Sequence, residues 1–237
     1  MEAIVEKRSE STQGRTELAF PEKDIGQGSE DAKVKLNLGC GGQVVPGWTN
    51  VDYAVGARLA KLPIFGALVR SLGLFDVSWD RSIVIQDLRR PLPWPDESVD
   101  VIYASHILEH FSRDEGKDLL AECRRLLRPN GILRVLVPDL KAIVDSYLAD
   151  DLRADGFVEA LGVLYGRSSN PFKDRLYPWL QFPHKCMYDQ RCLLKILDGE
   201  GFIAEGRACF ESQIPDVRAI ELPERTQNAV IVEARRR

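Results

Sequence analysis

From Lys33 onward, short apolar runs alternate with stretches whose apolar residues recur at helical spacing. Residues 34–38, 49–53, 83–86, 99–103 and 132–137 are short, apolar and bounded by turn-forming residues, so they read as strands. Between two of them, residues 114–127 place Leu119, Leu120, Cys123, Leu126 and Leu127 on one helical face. Arg128, Pro129, Asn130 and Gly131 then stop that helix and feed the next strand. Strands separated by crossovers imply an α/β fold with a mostly parallel sheet. Near the end, residues 202–210 and 228–234 are two further strand candidates. The segment joining them contains proline and is too short for an ordinary crossover helix, which predicts an antiparallel closing pair.

Three regions break this rhythm. Residues 1–31 are polar, without sustained periodicity, and read as a flexible leader, leaving 32–237 as one catalytic domain. Residues 54–80 concentrate Leu62, Ile64, Phe65, Leu68, Val69, Leu72, Leu74 and Phe75, and residues 151–187 are aromatic-rich and irregular. Both read as insertions over a face of the sheet, where substrate caps are often built. Ordinary helix packing competes for 54–80, as does a membrane-surface role, which the modest cationic content of the stretch weighs against.

Composition narrows the function classes. The 237 residues suffice for one sizeable core. Acidic and basic residues are mixed along the chain with a net charge of −4, which lacks the basic footprint of a nucleic-acid binder. No stretch is apolar and long enough to span a bilayer, and the charged start lacks a signal-peptide core. The expectation is a cytoplasmic protein without integral membrane association. Cys40, Cys123, Cys186, Cys192 and Cys209 are scattered, as reduced thiols would be. The His184, Cys186 and Cys192 spacing matches no standard zinc pattern, and no metal is expected.

The chemistry begins at Leu36-Asn37-Leu38-Gly39-Cys40-Gly41-Gly42, where glycines after the first strand let the backbone approach a ligand. A dinucleotide fingerprint would place a third glycine where Val44 stands, which weighs against NAD. Val51-Asp52-Tyr53 ends the second strand and sets a carboxylate beside the glycine turn, suited to a ribose diol. Gln86-Asp87-Leu88 offers another carboxylate with an apolar neighbour, suited to an adenine amino group and ring. Ser105-His106-Ile107-Leu108-Glu109-His110 follows the fourth strand, at the switch point of an open sheet.

These four stations resemble class I S-adenosylmethionine-dependent methyltransferases, in particular a methyltransferase type 11-like small-molecule group, over about residues 33–138. Further on, His184-Lys185-Cys186-Met187-Tyr188-Asp189, a helix and Gly201-Phe202 are similar to the tail of methyltransferases associated with sugar and surface-polysaccharide pathways. The resemblance implies a Rossmann-like seven-stranded, mostly parallel sheet with an antiparallel last strand and helices on both faces. It implies S-adenosyl-L-methionine as cofactor, with Gly39 and Gly41 against the methionine part, Asp52 on the ribose and Asp87 at the adenine. Ser105 and His106 correspond to the loop after the fourth strand, and Asn37, Cys40, Tyr53 and Leu88 complete the expected cofactor set. One departure is the short link between Gly42 and Trp48, where most members carry a helix.

The acceptor expected from the resemblance is a small molecule, such as a saccharide or related metabolite hydroxyl. An alcohol must lose its proton, and a histidine titrating near neutrality is a suitable base. His106, His110 and His184, the three histidines of the chain, are the catalytic candidates, with Glu109 orienting the site. Two other classes compete. His106 to His110 matches the H-x-x-E-H pattern of inverted zinc peptidases, whose histidines share a helical face. A non-catalytic cofactor-binding module is the other, opposed by the intact glycine turn and both aspartates. Oligomeric state is not legible.

Overall fold

The structure is a computed structural model that describes residues 33–61, 79–165 and 182–237. The leader, the apolar residues from Leu62 to Phe75 and part of the 151–187 insertion lie outside the described residues.

Seven strands form one sheet: β1 Lys35–Leu38, β2 Thr49–Asp52, β3 Val84–Ile85, β4 Val99–Ser105, β5 Leu127–Pro138, β6 Phe202–Gly206 and β7 Ala229–Arg236. Their spatial order is β3-β2-β1-β4-β5-β7-β6. The pairings from β3 to β5 are parallel, and β7 runs antiparallel to both β5 and β6. The expected parallel sheet and antiparallel closing pair are both present. The order reverses between β1 and β4, opening a crevice at their carboxyl ends.

Among the described residues the helices are α1 Val55–Ala60, α2 Arg113–Leu126, α3 Leu140–Leu148, α4 Ala154–Ala160, α5 Gln190–Gly199 and the single turns α6 Val217–Ile220 and α7 Pro223–Thr226. Ser112 starts α2 with a reciprocal capping box: its hydroxyl accepts from Glu115 N–H, and the Glu115 carboxylate accepts from Ser112 N–H. The apolar stripe read from the sequence, Leu119, Leu120, Cys123 and Leu126, is buried. The strand begins earlier than expected, because Leu127 already pairs with Val99 directly after α2. Pro129 cannot continue a helix, and Asn130 takes a left-handed φ of 63° within a strand whose register shifts there.

Side chains alternate across β5 and divide the core in two. Leu133, Val135 and Val137 pack with the α2 stripe and with Leu193 and Leu197 of α5. Leu136 faces the other side, with Val45, Trp48, Ile214, Val217 and Ile220. Arg134 falls between two apolar neighbours on the strand and is fully buried. Its Nε and Nη2 donate to Glu221 at 2.7 and 3.0 Å, and Nη1 to Glu233 at 3.3 Å. The carbonyls of Glu211 and Ala208 accept from Nη1 and Nη2 at 2.9 and 3.2 Å. This network ties β5 and β7 to the segment between β6 and β7.

Candidate active site

The glycine turn leaves β1 with Gly39 at φ 66° and Gly41 at φ 58°, backbone that side-chain-bearing residues seldom adopt. A Cβ on Gly39 would stand 2.7 Å from Ile107 Cδ1 and 3.1 Å from Ile107 Cβ, so the turn also demands the absence of a side chain. Asp52 at the end of β2 holds this turn: Oδ2 accepts from Gly41 N–H at 2.8 Å and Oδ1 from Ala54 N–H at 2.7 Å. Each oxygen keeps a lone pair for a ligand.

The short link after Gly42 contains no helix; Asn50 organises it instead. Its Oδ1 accepts from Asn37 Nδ2 at 3.0 Å and Val45 N–H at 3.1 Å, and its Nδ2 donates to the Val45 and Trp48 carbonyls. One buried amide thereby supplies bonds that the usual helix would have made internally.

A cavity of about 290 Å³ opens over the carboxyl ends of the strands. Its wall includes Gly39, Asp52, Tyr53, Asp87, Leu88, Ile107, His106 and His110. Six of the expected cofactor positions therefore meet at one surface. Asn37, Cys40 and Ser105 are buried beneath the turn and β4 and do not line it, while Gly41 contributes through its bond to Asp52. Burial pushes the Cys40 thiol up to about 12, with Asp52 adding to the effect, so it is no nucleophile near neutral pH. Asp87 is gripped by Arg89, whose Nε and Nη2 donate to its two oxygens at 2.9 and 2.8 Å. That pairing holds the Asp87 carboxyl below its usual range.

Beyond β4 the chain turns at His106, another left-handed residue with φ 52°, and enters a 3-10 turn, Leu108–His110. His106 and His110 therefore do not share an α-helical face, and the helix that an inverted zinc peptidase requires is not formed. His106 Nε2 lies 2.8 Å from the Arg225 carbonyl and must donate to it. Its Nδ1 lies 3.3 Å from Glu109 Oε1. Burial opposes the imidazolium, but the Glu109 carboxylate and the Arg225 carbonyl outweigh it, and His106 titrates above its ordinary value. Burial acts on His110 in the same sense and there prevails, lowering its titration despite Glu109.

His184 arrives from a distant segment and joins these groups. Glu109 O accepts from Lys185 N–H at 2.8 Å and Cys186 N–H at 3.1 Å, docking that segment beside the 3-10 turn. The His110 and His184 rings then meet edge to face, with centroids 5.0 Å apart. All three predicted histidines converge on Glu109, which is fully buried.

Residues 36–135 match the family model described as "Methyltransferase domain". The chain carries a methyltransferase domain. Its strand order is that of the Rossmann-like fold of class I, S-adenosylmethionine-dependent methyltransferases, to which this domain is similar. The cavity, with glycine backbone, two strand-end carboxylates and an apolar Leu88–Ile107 wall, fits the S-adenosylmethionine expected of such a domain. Among solved structures, the chain is similar to a SAM-dependent methyltransferase from Methanosarcina mazei, with 17% identity, 87% of this chain and 93% of that one covered, and a TM-score of 0.48. Another is the Burkholderia thailandensis 1,6-didemethyltoxoflavin-N1-methyltransferase, with 14% identity, 86% and 70% covered, and a TM-score of 0.44. A SAM-dependent methyltransferase from Archaeoglobus fulgidus gives 14% identity, 86% of both chains covered, and a TM-score of 0.44. No curated protein matches. Among the described residues, no helix of the methyltransferase is long and apolar enough to cross a membrane.

Arg225 was missed in the sequence. Its guanidinium lies 3.8 Å from where a Cβ on Gly41 would stand, and its carbonyl anchors His106. It sits in the single-turn helix α7, whose charged surroundings carry no periodic signal. Phe182 on the cavity wall carries no signal in the sequence either, and Lys185, read there only as part of the run after His184, takes its place on the wall through the fold.

Proposed function

We propose that this methyltransferase transfers the methyl group to an oxygen of a small-molecule acceptor, such as a saccharide or related metabolite hydroxyl. The observation that carries this reading is the meeting of three imidazoles around a buried carboxylate at one end of the cofactor cavity. An alcohol needs its proton removed, whereas a more acidic acceptor would need no such cluster. The cavity's dimensions and mixed wall suit a metabolite.

Within this reading, Asp52 takes the ribose hydroxyls on its remaining lone pairs, and Tyr53 and Leu88 flank the purine. Asp87 accepts the adenine amino group beside its bond to Arg89. Arg225 faces the glycine turn and pairs with the cofactor's carboxylate, a role that the short link leaves without a helix N-terminus. Bound S-adenosylmethionine supplies a sulfonium methyl that is displaced in line. The chain's residues orient the acceptor against it and exclude water, which contributes through alignment. Tyr53, Phe111 and Phe182 on the wall serve that exclusion.

Calorimetric titration with S-adenosylhomocysteine tests the cofactor half, with Asp52→Ala and Arg225→Ala alongside. Each should weaken binding by about 1.5 to 3 kcal/mol, the usual loss of a hydrogen bond to a charged group. Turnover of labelled donor with alcohol-bearing metabolites, against amine-bearing ones, tests the acceptor half. Methylation confined to amines would overturn the oxygen assignment.

A further inference from the structure

Glu109 poses a problem that methyl transfer alone does not solve. It is fully buried, yet among the described residues neither carboxylate oxygen has a hydrogen-bond partner. Burying an unsatisfied carboxylate is strongly unfavourable. His106 Nδ1 approaches to 3.3 Å, but with Nε2 donating to the Arg225 carbonyl it has a hydrogen for Glu109 only when the ring is protonated. The His110 Nδ1 is also buried and unpaired among the described residues.

His184 completes the picture through its tautomer. Its Nδ1 lies 2.8 Å from the Leu161 carbonyl and must be the protonated nitrogen. The Nε2 lone pair of the neutral ring is then left on the side of Glu109 Oε1, 4.0 Å away. A ring nitrogen donating to a backbone carbonyl while its partner nitrogen is free is the usual posture of a metal-ligating histidine. Gly162 makes room for this posture: a Cβ there would fall 2.4 Å from His184 Nδ1.

From this arrangement we infer that Glu109, His110 and His184 form a binding site for a divalent first-row transition cation such as zinc, at the end of the cofactor cavity. One ligand atom from each lies within 4.8 Å of the other two. Side-chain adjustment closes that spread to the bond lengths of about 2.0–2.2 Å that zinc makes with nitrogen and oxygen. Two imidazoles and one carboxylate suit zinc or manganese better than the all-oxygen preference of magnesium or calcium. Three protein ligands leave a position open, as catalytic sites do. His110 lies on the cavity wall, so that position is within reach of a bound acceptor.

The site departs from the sequence expectation of no metal, and it uses His184 in place of the His106 of the H-x-x-E-H pattern. Its catalytic role rests on the methyl-transfer reading. An acceptor hydroxyl held at the open position would lose its proton to solvent more readily. Its oxygen then bonds to the methyl carbon, and the carbon–sulfur bond breaks with its electron pair staying on sulfur.

The test is metal binding by the full chain, freed of metal with chelator and shown to remain folded by circular dichroism. Zinc titrated by calorimetry should bind once per chain, and Glu109→Gln and His184→Ala should each weaken it at least about tenfold. Cobalt in the same protein should give d–d bands without thiolate charge transfer, which separates this site from the nearby Cys186 and Cys192. This spectrum needs no variant and stands if a substitution fails to fold. A folded parent that takes up no zinc at 100 µM, thiolate bands, or unchanged affinity in folded His184→Ala would each overturn the site. S-adenosylhomocysteine binding measured in parallel separates the two readings: cofactor binding without metal uptake sinks the metal site alone. Metal uptake without cofactor binding sinks the methyl-transfer reading and leaves the site standing.

Discussion

Gly39→Ala should be the most damaging of the small substitutions in the glycine turn, and its cost has two separable parts. The first is backbone: Gly39 has φ 66°, and a left-handed conformation costs a residue with a Cβ about 1–2 kcal/mol. The second is contact: the new methyl would stand 2.7, 2.9 and 3.1 Å from Cδ1, Cγ1 and Cβ of Ile107. The outer atoms can rotate away, but Ile107 Cβ moves only with its backbone, and overpacking of this kind costs about 1–3 kcal/mol. The sum is about 2–5 kcal/mol. Gly47→Ala isolates the first part, because Gly47 has φ 76° and nothing within 4 Å of its added Cβ. Urea unfolding of both variants, with unchanged slope, should show Gly39→Ala as the more destabilised. Because Gly39 and Ile107 both line the cavity, only that variant should also lose S-adenosylhomocysteine affinity. Equal destabilisation by the two alanines, or full cofactor affinity in Gly39→Ala, would refute the reasoning.

Arg134→Met removes the cation from two buried carboxylates, Glu221 and Glu233, and should destabilise the fold by about 3–5 kcal/mol, read as a fall in the urea midpoint at constant slope. A loss below about 1 kcal/mol would show that those carboxylates find other partners. Ser112→Ala deletes the capping hydroxyl of α2 and should cost about 1 kcal/mol in thermal or urea unfolding; no loss would mean that Glu115 alone holds the helix start. Glu122 is held below its ordinary value of 4.5, chiefly by Arg125, against the opposing effect of burial. A carboxyl lowered in the folded state stabilises fully above its unfolded value and loses that contribution as pH falls through the folded one. Glu122→Gln should therefore flatten the acid limb of the stability profile below about pH 4.5, and an unchanged limb would contradict the pairing.

The periodic part of this protein was legible in the chain. Strand-length apolar runs, one helical stripe and the spacing between them define the sheet, because burial of alternate or every-third-to-fourth residues is a local property. The glycine turn, Asp52 and Asp87 were legible for a related reason: each sits at the carboxyl end of a strand, and a parallel sheet brings those ends to one edge. The boundary after α2 was less so, since whether residues 127–131 form loop or strand depends on the pairing of Leu127 with Val99.

Tertiary structure alone decided which polar residues face the cavity and which serve the scaffold. Asn37 reads like a ligand-binding residue, yet its amide donates to Asn50 beneath the turn, because a buried amide must be satisfied by whatever the fold places beside it. Arg225 reaches the turn from the far end of the chain, and the His184 segment docks on the carbonyl of Glu109, whose buried carboxylate has no hydrogen-bond partner among the described residues. Such contacts join residues far apart in sequence, with no period or spacing to announce them. They are set by packing between elements, so the chain by itself determined the sheet and its cofactor edge, and only the folded molecule assembled the cluster that would act on the acceptor.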